Sequence, residues 1–150
     1  MAEYGYNQAQ DLQPGAAALL GNIHPCMRCP QLALHEDMTP SIRLRGIVRN
    51  RNCCNPKAVY NVSFSGNIAV AEGGTAGEIQ LALSVNGFVR PFTIAAVTPA
   101  AAQQFWNVSG GTDIEVAEGC CADVAVVNAS TGTTAITVRN LNVKVNRVSA

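Results

Sequence analysis

The chain has 150 residues, 48% apolar and 13% charged, with ten basic and ten acidic side chains and no net charge. That length is one domain's worth and can bury a core without crosslinks; the lack of a basic excess argues against nucleic acid as a partner. No apolar run approaches the roughly 18 residues of a membrane-crossing helix, and Met1 to Gln8 lacks a signal-peptide pattern, so the expectation is a protein made in a cytoplasm.

Residues 1–40, rich in Gln, Ala, Gly and Asn up to Pro25, read as an extended N-terminal arm that docks or exchanges between subunits. Within it, Ala16 to Leu20 suits a short strand or one helical turn, and Leu19 and Leu20 are its candidate assembly contacts. Residues 41–150 read as the folded domain.

Ile42 to Arg51 is the first expected strand of that domain. Arg43, Arg45, Arg49 and Arg51 share one parity and Ile42, Leu44 and Val48 the other, which sets a basic face opposite an apolar one. Such a face suits an acidic surface or a phosphate, though a solvated strand face is the plainer reading.

Ala58 to Val70 alternates most clearly, with Tyr60, Val62, Phe64, Ile68 and Val70 on one side and Gly66 marking a bend or bulge. A turn follows at Glu72 to Thr75. Ile79 to Val85 then leads into Asn86-Gly87, the pair that favours a type I′ hairpin turn, and Phe88 to Phe92 returns. Phe105 to Val108 and Thr112 to Val116 read as two strands joined by Ser109-Gly110-Gly111. Ala122 to Val127 reads as a central strand.

In the last strand, Ala135 to Val148, Ile136 and Val138 share one parity while Leu141, Val143 and Val145 share the other. This phase change predicts a β-bulge at Arg139-Asn140. Leu141, Val143 and Val145 should lie against the core or a subunit interface. The total is about eight to ten short antiparallel strands, the pattern of an all-β sandwich, jelly roll or barrel.

Chemistry is sparse. His24 and His35 are the histidines, and the six cysteines are Cys26, Cys29, Cys53, Cys54, Cys120 and Cys121. Cys26 and Cys29, with His24 or His35 and a further cysteine, have the residue types for a zinc site; disulfides are the second reading, with fifteen complete pairings open. Cys120 and Cys121 read as small buried residues beside a turn. Glu115, Glu118 and Asp123 could cluster for acid–base work or Ca²⁺, or simply rim a loop. The N-x-S triplets at Asn61, Asn107 and Asn128 read as chance matches. No catalytic constellation and no cofactor site emerge.

The charge is uneven. No Lys or Arg occurs between Lys57 and Arg90 or between Arg90 and Arg139. A charged share about half the usual ~25% implies a surface covered by neighbouring subunits.

The runs VYNVSFSGNIAVAEGGTAGEIQLALSVNG from Val59, VTPAAAQQFWNVSGGTDIEVAEGCCADVAVVN from Val97 and NLNVKVNRVSA from Asn140 resemble small virion structural proteins of phages and prophages of gut Firmicutes. The resemblance implies a single jelly-roll domain similar to the tumour-necrosis-factor/C1q type, typically a homotrimer. It further implies a non-enzymatic capsid decoration or head-fibre protein on the virion surface, with the major capsid protein or neighbouring subunits as partners. A self-assembling bacterial surface or spore-appendage filament subunit is the competing expectation.

Overall fold

The computed structural model describes residues 1–24, 33–48 and 56–148, with His24 described through its backbone alone. In chain order the strands are β1 (Ala2–Tyr6), β2 (Gln10–Leu12), β3 (Gly21–His24), β4 (Ala33–Leu34), β5 (Ile42–Arg45), β6 (Lys57–Val70), β7 (Ile79–Val85), β8 (Phe88–Val89), β9 (Ala95–Val97), β10 (Trp106–Ala117), β11 (Cys121–Asn128) and β12 (Ile136–Arg147). They form two antiparallel sheets, ordered β10-β6-β12-β1-β3 with β2 beside β12, and β4-β5-β11-β7-β8 with β9 beside β7. This is the jelly-roll sandwich the sequence leads one to expect.

Alternation explains the core. Tyr60, Val62, Phe64, Ile68 and Val70 of β6 point inward, as do Leu141, Val143 and Val145 of β12, against Ile42, Leu44, Leu81, Leu83 and Val124 of the other sheet. A large side chain fully buried in this way contributes about 1.5–3 kcal/mol. Tyr60 also ties the sheets together, because its hydroxyl donates to the Arg45 carbonyl at 2.6 Å.

Two sequence signals converge on one feature. The β6–β12 register slips between Arg139 and Asn142, and Asn140 has φ 52, so the phase change is the expected bulge. Gly66 lies opposite it in a continuous β6, leaving room for Leu141. The Asn86-Gly87 turn also forms, with φ 53 and 84.

Several expectations need correcting. The first 24 residues do not project as an arm: β1 pairs with β12 and β3, β2 pairs with β12, and Ala17 bridges to Val127. Ala2, Tyr4, Leu12, Ala18 and Leu20 are core residues. Residues 106–117 form one strand, not two. Gly110 and Gly111 mark close approach rather than a turn: a β-carbon at Gly110 would stand 2.7 Å from the Thr93 carbonyl oxygen, and one at Gly111 would stand 3.0 Å from that of Val62. Of the basic strand, Arg43 and Arg45 lie on β5, while Arg49 and Arg51 lie outside the described residues.

Candidate interaction surfaces

Phe92 is fully exposed and Phe88 is 77% exposed, with Val89, Ile94 and Trp106 also open to solvent. Local chemistry holds this edge in place. The Asn86-Gly87 turn sends β8 back along β7, with Val85 opposite Phe88. Pro91–Thr93 then forms a 3-10 turn. The buried Thr93 hydroxyl accepts from the Leu83 amide at 3.0 Å and donates to the Arg90 carbonyl at 2.7 Å. Pinning Thr93 inward turns its neighbours Phe92 and Ile94 outward, and Gly110 makes space for the Thr93 backbone. A cluster of exposed apolar side chains on a fixed backbone makes this edge a candidate contact surface.

The outer face of the β10-β6-β12-β1-β3 sheet carries a run of small polar side chains among its charges. Asn61, Ser63, Ser65 and Asn67 stand in register with Asp113, Gly111, Ser109 and Asn107. Cross-strand bonds tie this face together: Asn61 donates to Asp113 at 2.8 Å and Asn107 to Asn67 at 3.1 Å. A shallow depression of about 360 Å³ lies here, lined by Ser63, Ser65, Ser109, Gly111, Asn142 and Lys144 among others.

The opposite edge, at β3 and β4, exposes Leu19, Ile23, Leu34 and Met38. Next to it, His35 is fully engaged. Its Nε2 lies 2.8 Å from the Thr39 carbonyl and its Nδ1 2.6 Å from the Asn22 side-chain oxygen, with the Tyr4 ring centroid at 4.8 Å. His35 thus links β3 to the Thr39 loop, and no group of three or more His, Cys, Asp or Glu side chains suited to a metal occurs among the described residues. Cys26, Cys29, Cys53 and Cys54, and the His24 side chain, lie outside them.

On the basic face, Arg43 is neutralised by an acidic partner. Arg43 makes a two-pronged contact with Asp123, at 2.9 and 3.2 Å, and this guanidinium holds the Asp123 carboxyl below its usual range. Glu115 pairs with Lys57 at 2.6 Å on the other sheet, so the carboxylates Glu115 and Asp123 do not converge. Asn128 is buried, donating to the carbonyls of Leu12 and Thr134 and accepting from the Ser130 amide.

Of the five assembly candidates, Leu20, Leu141, Val143 and Val145 are buried in the chain's own core, and only Leu19 reaches the surface. In the sequence, Pro91 marks Phe88 to Phe92 as an edge or strand end, but it does not show that the two phenylalanines face solvent. Cys120 and Cys121 are exposed rather than buried.

No protein-family model matches the chain, and no curated protein matches its sequence. Solved structures do match. The Eiger TNF of S. frugiperda superposes with a TM-score of 0.65 at 11% identity, covering 99% of this chain and 92% of that one. The fold is a jelly roll of the tumour-necrosis-factor/C1q type. The globular domain of zebrafish complement 1qA agrees, with a TM-score of 0.54 at 11% identity over 96% of each chain. At that identity the tumour-necrosis-factor/C1q likeness is one of architecture.

Proposed function

We propose that the chain is a non-enzymatic virion structural protein, a phage capsid decoration or head-fibre protein that assembles as a homotrimer on the capsid surface. The observation that carries the assembly reading is the exposed Phe88–Phe92 edge, held outward by buried Thr93. A second apolar edge, at β3–β4, offers it a counterpart on another copy, and three such heterologous contacts would close a ring. The capsid assignment draws on the resemblance of the runs from Val59, Val97 and Asn140 to phage virion proteins, and the jelly-roll fold is compatible with it.

Light scattering on the purified chain under reducing conditions tests the assembly. The wild type should have the mass of three chains, and Phe92→Ser combined with Phe88→Ser should fall to one chain with unchanged circular dichroism. A wild-type monomer, or a double variant that stays trimeric, overturns the reading; an open-ended series of masses points to a filament subunit instead. Antibody labelling of the source's particles in the electron microscope tests the capsid, and unlabelled capsids overturn that part.

A further inference from the structure

Free cysteine is among the most buried residue types, yet this chain presents two in succession to solvent, Cys120 and Cys121. The backbone around them is held firmly. Gly119 has φ 80, a conformation suited to glycine, and the Cys120 amide donates to the Ala117 carbonyl at 3.0 Å. Gly46 clamps the turn from the side: its amide donates to the Cys120 carbonyl at 2.8 Å and its carbonyl accepts from Gly119 at 2.9 Å. A β-carbon at Gly46 would overlap the Ala117 carbonyl. The turn also accommodates the end of the next segment, since the Glu118 amide donates to the Pro56 carbonyl at 3.1 Å.

Charged side chains flank the turn on β5 and β11. Cys121 stands opposite Arg45 in the β11–β5 register, two residues along from the Arg43–Asp123 ion pair.

We infer that Cys120 and Cys121 are a crosslinking dithiol through which adjacent copies become disulfide-linked after assembly; this rests on the assembly reading above. The oxidant is a small disulfide of the glutathione type. A cysteine thiolate attacks it, forms a mixed disulfide and expels one small thiol. A thiolate of the adjacent copy then attacks the protein sulfur and expels the second. Two cysteine S–H groups are lost, two electrons pass to the oxidant, and their two protons leave with the two small thiols. Two thiols per chain set the valency: each copy can bond two neighbours, whereas one thiol could only make dimers.

The test oxidises full-length protein, mixed from normal and heavy-nitrogen-labelled preparations and reassembled, with glutathione disulfide. Disulfide peptides are then mapped by mass spectrometry, beside a non-reducing gel. The expected result is peptides of mixed isotope containing Cys120 or Cys121, in a ladder beyond the dimer that thiol collapses. Cys120→Ser and Cys121→Ser should each restrict species joined through this turn to dimers. Thiols that stay reduced, a ring between Cys120 and Cys121, or bridges of single isotope to Cys53, Cys54 or any other cysteine overturn the proposal. Light scattering under reduction separates the two ideas. A non-covalent oligomer that does not crosslink removes only the dithiol, whereas a monomer removes the assembly reading itself.

Discussion

Gly66 of β6 and Leu141 of β12 are packed so closely that a β-carbon on Gly66 would stand 3.3 Å from Leu141 Cδ1. The space exists because β12 bulges there, with Asn140 at φ 52 returning Leu141 to the inner face. Gly66→Val forces branched carbons against Leu141 and should cost about 1–3 kcal/mol. Asn140→Val puts a β-branched residue at positive φ and should cost about 1–3 kcal/mol, while Asn140→Gly should be close to neutral. Urea denaturation checks all three, through a lower midpoint at constant m.

That bulge was legible in the sequence because a phase change in an alternating strand leaves a visible mark. The β6 alternation and the Asn86-Gly87 turn were legible for the same reason: each is a local pattern with one geometric reading. The first 24 residues were not. Ala2 and Tyr4 do alternate with Glu3 and Gly5, but two apolar residues make too short a pattern, and what fixes β1 is pairing with Val143 and Val145 at the far end of the chain. Non-local pairing leaves no local signature. Composition likewise gives no sign that Thr93 is pinned inward and Phe92 turned outward, nor that the clamp by Gly46 leaves Cys120 and Cys121 open to solvent.

Deletion of residues 1–24 should therefore unfold the domain rather than merely free it from a particle. It removes Tyr4, Leu12 and Leu20 from the core, worth about 1.5–3 kcal/mol each, and it bares a full edge of β12. The expected outcome is insoluble protein or a lost cooperative thermal transition. A truncated chain that melts like the wild type would show that these strands contribute little.

Val143 is fully buried and stands in register with Phe64 on one side and Tyr4 on the other. Val143→Asp places an unpaired carboxylate there, which should cost more than about 4 kcal/mol, a large part of the 5–15 kcal/mol typical of a domain. Val143→Ala should cost about 2 kcal/mol and still fold. Circular dichroism of the two variants separates loss of fold from loss of packing.

Arg43 lowers the folded-state pKa of Asp123. The stability this gives is fully present above the unfolded carboxylate value of about 4 and is lost as pH falls through the lowered folded value. Both side chains are about half exposed, so the effect is small and weakened by salt. Asp123→Asn should melt slightly below the wild type at neutral pH in low salt. The difference should vanish once pH falls below the folded-state value. A gap that persists in acid would mean that Asp123 acts through its neutral contacts.

Burial raises the phenol pKa of both Tyr4 and Tyr60, and in Tyr60 this outweighs the opposing pull of Arg147. The stability tied to each is present below the ordinary tyrosine value of about 10 and is lost as pH rises through the raised folded value. Alkaline titration followed by ultraviolet absorbance should therefore show phenols that ionise late, together with the loss of the circular dichroism signal. Tyr60→Phe also leaves the Arg45 carbonyl without the donor it has at 2.6 Å, and should cost about 1–3 kcal/mol at neutral pH. Its alkaline transition should have a shallower pH dependence than the wild type. An unchanged dependence would assign the late ionisation to Tyr4, whose ring packs on His35, and Tyr4→Phe would then flatten it.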